Sequence, residues 1–251
     1  MQLRLPQDKL SALMKLLTEW RSSRRKVTKR KLLSLIGKLS FAARAVPAGR
    51  LFLRRLIDLS TKAKRLHHRI SLSCCARADV QWWLDFLPSW NGISLMLQPD
   101  WQAAADMDLY TDASGTVGYG AYFQGSWFAE TWTEHHRHHS IQWKELFAIL
   151  AAVAAWGHLW SGKRIRFYCD NQAVVKAWQS KSPKNHNLAT LFRKLFMLAA
   201  KNNFNIALKH IPGITNDIAD ALSRQQMQRF RGLAPAADKA STPTPVWLTE
   251  L

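Results

Sequence analysis

Four carboxylates are the residues best placed to do chemistry together. Asp112 ends a short alternating run in YTDASG, Glu145 sits in QWKELFAIL, Asp170 closes RFYCD, and Asp220 lies in NDIADALSR. Each stands inside an apolar stretch, where a lone carboxylate is costly, and a cluster is tolerable only if cations neutralise it. Oxygen donors without His or Cys partners favour Mg2+ or Mn2+ over zinc. Two such ions about 4 Å apart activate a water and stabilise the leaving oxygen in phosphodiester hydrolysis. The expected cofactor is therefore two Mg2+ ions, for which Mn2+ can substitute. Any one of these acids taken alone also reads as a helix cap or a surface charge. Asp217 lies three residues before Asp220, so on a helix both face one side and either can be the ligand. Asp217 also reads as a first-turn acid favoured by the helix dipole.

The elements that must carry these acids follow from periodicity. Met107 to Asp112 alternates as a strand, and Tyr119–Phe123 and Ser126–Trp132 form two more, joined at Gln124–Gly125 as a hairpin. Ile141–Trp160 reads as a long helix and Ile165–Asp170 as a strand ending on its acid. Gln172–Trp178 and Leu188–Lys201 read as helices, Phe204–His210 as a strand and Asn216–Gln228 as a closing helix, with Asn216 as its N-cap. The acids thus fall at strand ends and helix starts, where α/β folds gather functional groups. The order β-β-β-α-β-α-α-β-α predicts an α/β fold with a mixed sheet and helices on its faces.

Residues 1–90 read differently. Apolar residues recur at helical spacing from Leu10 to Trp20, from Leu32 to Phe41 with Thr28 as N-cap, over Leu51–Leu59, and over Ala76–Leu87. This predicts a smaller all-α unit, a linker over 91–105, the α/β domain over 106–228 and a disordered Ala/Pro/Thr-rich tail over 229–251. Charge divides the same way. Residues 1–99 hold 20 Lys/Arg against 5 Asp/Glu, and residues 100–251 hold 16 against 12. The excess points to a polyanionic partner. Arg24, Arg25, Lys26, Lys29, Arg30 and Lys31 place six cations in eight positions, a phosphate-contacting run whose plainer reading is a solvated face. No apolar run reaches about 18 residues, so no membrane span or membrane partner is expected. The start lacks a secretory signal, and three Cys without a framework fit a reducing, intracellular compartment, nucleus and cytoplasm being undistinguished.

The acid order, the strand-ending Asp170–Asn171 and the closing HIPGITNDIADALSR resemble retroelement ribonuclease H. The resemblance implies a ribonuclease H-like mixed five-stranded sheet with flanking helices. It also implies that Asp112, Glu145, Asp170 and Asp220 are the catalytic metal ligands. His210 and Asn216 match the family's His and Asn, ten and four residues before the fourth acid, which favours Asp220 over Asp217. It implies further that His210 lies on a mobile loop assisting water activation or product release, and that Ser114, Asn171 and Asn216 contact nucleic acid. LIGKLSFAARAVPAGRLFLRRLIDL and the Trp82–Trp83 region resemble the thumb and connection of DIRS-type retrotransposon reverse transcriptases. The chain has no adjacent Asp–Asp pair, so no polymerase activity is expected of it, and the missing polymerase part of the same polyprotein is an expected partner.

The expected function is metal-dependent hydrolysis of the RNA strand of RNA–DNA hybrids. The alternative is a catalytically silent nucleic-acid-binding module derived from a retrotransposon. A transposase or integrase of the same superfamily is a third reading, disfavoured by the 50-residue interval from Asp170 to Asp220. The HHRHH stretch, His135 to His139, reads as a solvated loop, since no nearby Cys completes a zinc site. Trp143, Trp156, Trp160 and Trp178 read as core, with base stacking as the other possibility.

Overall fold

A computed structural model describes residues 4–22, 26–46, 49–90, 100, 102–103, 105–169, 172–180, 185–210 and 216–251. The chain divides into two compact units, Met1–Met96 and Leu97–Leu251.

The first unit is helical, as the periodicity requires. Helix α1 (Gln7–Ser22) buries Leu13, Leu17 and Trp20 on one stripe. Helix α2 (Lys29–Ala42) buries Leu32, Leu35, Leu39 and Ala42, and the Thr28 side chain caps it by accepting from the Lys31 N–H. The helix expected over Leu51–Leu59 starts as a 3-10 turn (Gly49–Phe52) and continues as α3 (Arg54–Thr61). Helix α4 (Cys74–Trp90) completes the unit. Trp82 stacks between Phe52 and Phe86, with ring centroids at 3.6 and 4.5 Å, and Trp83 is fully buried. Sequence patterning misses a two-stranded antiparallel ribbon, β1 (Val27–Thr28) with β2 (Arg69–Ile70), because two-residue strands carry no periodicity.

The second unit is mixed α/β. Strands β4 (Leu109–Ala113), β5 (Gly118–Phe123) and β6 (Ser126–Thr131) form an antiparallel ladder in which Asp112 pairs with Gly120. The β5–β6 turn is Gln124–Gly125, both at positive φ (50° and 95°), the geometry a tight twisted hairpin requires. A parallel ladder holds β3 (Gln102–Ala103), β7 (Arg164–Cys169) and β8 (Asn205–His210), with Cys169 opposite His210. All five expected strands exist. The described pairings set them in these two ladders, and β3 adds a short sixth strand inside the expected linker.

Helix α6 (Ile141–Trp156) buries residues all round, from Trp143 and Leu146 to Val153 and Trp156, and packs against β4 and β5. Before it lies the short helix α5 (Glu134–Arg137). In the HHRHH segment, expected as a solvated loop, His135, Arg137 and His138 are exposed, but the segment starts in a short helix and two of its histidines turn to the core. His136 is buried edge-on against Trp132 and packs on Trp143 and Phe147, and His139 stacks on Trp143 at 4.0 Å. Helices α7 (Gln172–Ser180) and α8 (His186–Lys201) bury Trp178 against Phe192 and Phe196. Trp143, Trp156, Trp160 and Trp178 are all buried, in keeping with their core reading.

The expected closing helix is two, α9 (Asp217–Ser223) and α10 (Met227–Leu233), with Gln225 at positive φ (58°) between them. The disordered tail is a correction. Residues after α10 lie along β6: the Asp238 N–H donates to Gly125 O at 2.9 Å and the Thr242 N–H to Trp127 O at 2.7 Å. Leu248 in a terminal 3-10 turn is fully buried. The tail's polar, Pro-rich composition hides a few apolar anchors, among them Ala234 and Ala237, which join the cluster of Tyr122, Trp127 and Phe230. Among the described residues no helix is long and apolar enough to cross a membrane.

Candidate active site

Asp112 is the half-buried centre of the site, and Gly120, its partner on β5, decides what can approach it. A Cβ on Gly120 would collide with Leu222 Cβ and lie 2.9 Å from both Leu222 C and Ser223 N. The absence of a side chain there lets the backbone of α9 lie directly on the sheet. Two hydrogen bonds fix that contact. Ser223 Oγ, fully buried, donates to Asp112 Oδ2 at 2.5 Å, and Asn216 Nδ2 donates to Thr111 O at 2.7 Å. Asn216 occupies the N-cap position of α9 without capping it. Its amide nitrogen is spent on β4, so it staples helix to strand.

Asp220 lies on the same helix, and its charge reaches Asp112. Burial is the largest influence holding the Asp112 carboxyl above the ordinary carboxylate range. The negative charge of Asp220 adds to it, while Ser223 and Arg224 oppose it. Asp220 behaves in the opposite way. Burial pushes it up, but Arg224 and Arg229 outweigh burial and hold it below its ordinary value. Arg224 Nε meets Oδ1 and Arg229 Nη1 meets Oδ2, both at 2.6 Å, and Arg229 Nη2 reaches Asp217 at 2.7 Å. Asp217 is the more exposed, its side chain 54% accessible against 30% for Asp220. The packing of α9 on β4 and β5 therefore sets Asp220 within electrostatic reach of Asp112, while Asp217 is the more exposed of the two α9 acids.

Glu145 is half-buried on α6, the helix packed against β4. Its neighbour Lys144 is only 3% exposed, and Nζ donates to Gly115 O at 2.6 Å and Arg137 O at 3.1 Å while lying over the Trp132 ring. Lys144 thus pins α6 to the turn that follows Asp112, and burial holds its amine below the ordinary lysine value. Ser114, expected at the nucleic acid, is a correction. It is 5% exposed, and its Oγ accepts from the Thr116 and Val117 N–H groups, closing the β4–β5 turn from inside. His210 ends strand β8 and is half-buried, not on a loop as expected. Asp170 and Asn171 lie outside the described residues. Among the described residues no three His, Cys, Asp or Glu side chains are grouped to hold a metal. The donor chemistry nevertheless suits one: Asp112 and Asp220 are both half-buried carboxylates on elements packed together, and both offer only oxygen donors.

Residues 124–226 match the reverse transcriptase-like family. That span contains Glu145, Asp220 and Ser223 and begins after Asp112. No curated protein matches the chain in sequence. Among solved structures, the chain is similar to the N-terminal RNase H domain of a Mycobacterium tuberculosis protein, at 19% identity and a TM-score of 0.32, over 46% of this chain and 92% of that one. It is similar to RNase H1 of the halophilic archaeon Halobacterium salinarum at 17% identity and 0.34, over 48% and 94%. The foamy viral protease–reverse transcriptase in complex with an RNA/DNA hybrid is similar at 13% identity and 0.30, over 85% of this chain and 29% of that one.

Of the basic run expected at nucleic acid, Lys26, Arg30 and Lys31 are exposed. Lys29 is another correction: its Nζ donates to Ala63 O at 2.7 Å and holds the fold. Arg24 and Arg25 lie outside the described residues. Sequence reasoning missed Ser223, Arg224, Arg229 and Gly120. The Asp220–Arg224 spacing of four was a legible helix ion-pair signal, and glycine inside the alternating GYGAYF marked a close approach. Arg229 depends on the break between α9 and α10, which has no sequence periodicity.

Proposed function

We propose that the second unit is a ribonuclease H-type nuclease that hydrolyses the RNA strand of RNA–DNA hybrids. The observation carrying this reading is the packing of α9, which carries Asp220, against β4, which carries Asp112. Helix α9 lies directly on the sheet at Gly120, Asn216 and Ser223 tie it to β4, and Ser223 donates to Asp112 Oδ2 one helical turn from Asp220. The match of residues 124–226 to the reverse transcriptase-like family supports it. With the resemblance of the preceding helices, the chain reads as the thumb, connection and nuclease part of a DIRS-type retroelement reverse transcriptase, working beside a polymerase part.

Asp112, Glu145, Asp170 and Asp220 would hold two Mg2+ ions, or Mn2+. Bound there, the metal pair would supply an activated water and charge stabilisation at the scissile phosphate. The chain's own residues do the rest. Ser223 donates to Oδ2 of Asp112 and fixes that carboxyl, while Asn216 locks the start of α9 to β4. Lys144 holds the turn after Asp112 in place. Arg224 and Arg229 neutralise Asp220 and must yield it for metal binding. His210 assists proton movement or product release.

That arginine pair also favours a second reading. A carboxylate already satisfied by two guanidinium groups suits a binding module without turnover. The test is a hybrid labelled on its RNA strand, incubated with the full chain and Mg2+ or Mn2+ beside matched DNA and RNA duplexes. Selective RNA-strand cleavage of the hybrid supports the nuclease. Tight hybrid binding with no product over hours selects the silent module.

A further inference from the structure

The basic run at the start of α2 is half of a larger feature. A second segment, Lys62 to Arg69 (KAKRLHHR), brings Lys62, Lys64, Arg65, His67, His68 and Arg69, all exposed and with no acid among them. It lies more than thirty residues away in sequence, yet the fold stitches the two together. Val27 pairs with Ile70 and Thr28 with Arg69. The Lys29 N–H donates to His68 O and the Arg30 N–H to Leu66 O, both at 2.9 Å. Lys29 Nζ closes the staple on Ala63 O. Lys26, Arg30 and Lys31 are thereby set beside Lys64, Arg65, His67 and Arg69 on one backbone ribbon. Next to it opens a cavity of about 630 Å3 with Lys62, His68 and Arg69 on its lining beside the apolar Leu59, Ile70 and Leu72.

Holding like charges together costs free energy, and among its described residues the unit shows no ion pair that relieves it. Its described ion pairs are Arg54–Asp58, Arg55–Asp79 and Lys9–Asp8, and none involves either basic segment. A merely solvated run needs no such stitching. We infer that the β1–β2 ribbon, with Lys26, Arg30, Lys31, Lys64, Arg65 and Arg69, is a composite docking surface for the phosphodiester backbone of a nucleic-acid duplex. Charge complementarity selects that partner. An anionic bilayer needs an apolar face to enter, and the Lys62–Arg69 segment exposes one large apolar side chain, Leu66. Lys29 is the positioning residue: it contacts the loop backbone and sets the two segments' spacing. The inference rests on the nucleic-acid reading for its partner and not on the nuclease chemistry.

The test uses the full chain in EDTA, with fluorescence anisotropy of a labelled hybrid and a labelled DNA duplex over a salt series. Each phosphate contact contributes about 0.9 to the slope of log affinity against log salt. Neutralising Lys64→Ala, Arg65→Ala and Arg69→Ala together therefore lowers the slope by roughly 2 to 3, and affinity near 100 mM salt by about tenfold or more. The same charge change at Lys9→Ala, Lys15→Ala and Arg21→Ala on α1 leaves the slope near wild type. Lys29→Met reduces affinity although Lys26, Arg30, Lys31, Lys64, Arg65 and Arg69 all stay in place. Should the triple variant lose its thermal transition, Lys64→Gln with Arg65→Gln, which spares β2, carries the test. Equal losses from the patch and control variants overturn the inference, as does an unchanged slope. So does a patch variant that loses only its binding to phosphatidylserine vesicles. Cleavage by the wild type with binding unchanged in the patch variant sinks the surface alone. Patch-dependent binding without cleavage sinks the nuclease alone.

Discussion

Replacing Gly120 by alanine tests the contact on which the site is built. The new Cβ would clash with Leu222 Cβ and sit 2.9 Å from Leu222 C and Ser223 N, the last two being helix backbone that cannot rotate away. Ordinary carbon contacts of roughly 3.5–4.0 Å require α9 to retreat by about 1 Å. Overpacking of this kind costs about 1–3 kcal/mol. For a unit of this size, each kcal/mol lowers the thermal midpoint by about 2–4 °C, so Gly120→Ala should lower it by roughly 2–12 °C. The same retreat carries Ser223 and Asp220 away from Asp112, and a misplacement of about 1 Å costs on the order of 100-fold in rate. Calorimetry gives the midpoint, and single-turnover hybrid cleavage below the transition gives the rate. Gly232→Ala in α10, where a Cβ meets nothing within 4 Å, is the control and should leave both unchanged or raise stability slightly. A Gly120→Ala protein with the wild-type midpoint and rate would refute the close packing of α9 on β5.

Asp112→Asn should remove activity and stabilise the fold at neutral pH. Burial raises the folded pKa of Asp112 above its unfolded value, so wild-type stability falls as pH rises between the two and stays reduced above the folded one. The advantage of Asp112→Asn should be absent below pH ~3.8, grow through that window and stay constant at pH 7; denaturant melts at each pH read it. Ser223→Ala removes a donor from Asp112, so the acid limb of the pH–rate profile should move to higher pH, and an unmoved limb argues that Ser223 does not tune the carboxyl. Deleting residues 238–251 removes Leu248 and the bonds of Asp238 and Thr242 to β6. It should cost about 3–5 kcal/mol, and the uncovered edge should promote self-association visible by light scattering.

The sequence is legible where periodicity or chemistry is strong. Long helices such as α6 and α8 announce themselves by apolar spacing, β5–β6 by alternation around Gln124–Gly125, and Asp112 and Asp220 by acids set in apolar runs. The rest is hidden for physical reasons. Two-residue strands such as β1 and β2 have no pattern, although they join Lys29 to the Ala63 loop. Ser114, Asn216 and Lys29 look like ligand-facing polar residues in a string of letters. Only the fold shows that the Ser114 hydroxyl, the Asn216 amide nitrogen and the Lys29 amine are engaged by Val117, Thr111 and Ala63. His136 reads as a solvated charge until Trp132, Trp143 and Phe147 close around it. The tail misleads because composition averages over Leu248, whose burial decides its fate.

The central claim is that Asp112 and Asp220 form the working centre of a metal-dependent hybrid nuclease. The most direct measurement is single-turnover cleavage of an RNA–DNA hybrid across a Mg2+ titration, for the wild type and Asp112→Asn, with end analysis of the RNA fragments. The account predicts Mg2+-dependent fragments with 3′-hydroxyl and 5′-phosphate ends from the wild type, and none from Asp112→Asn. Cleavage that persists in Asp112→Asn, or a folded wild type that yields no product in Mg2+ or Mn2+, would contradict it.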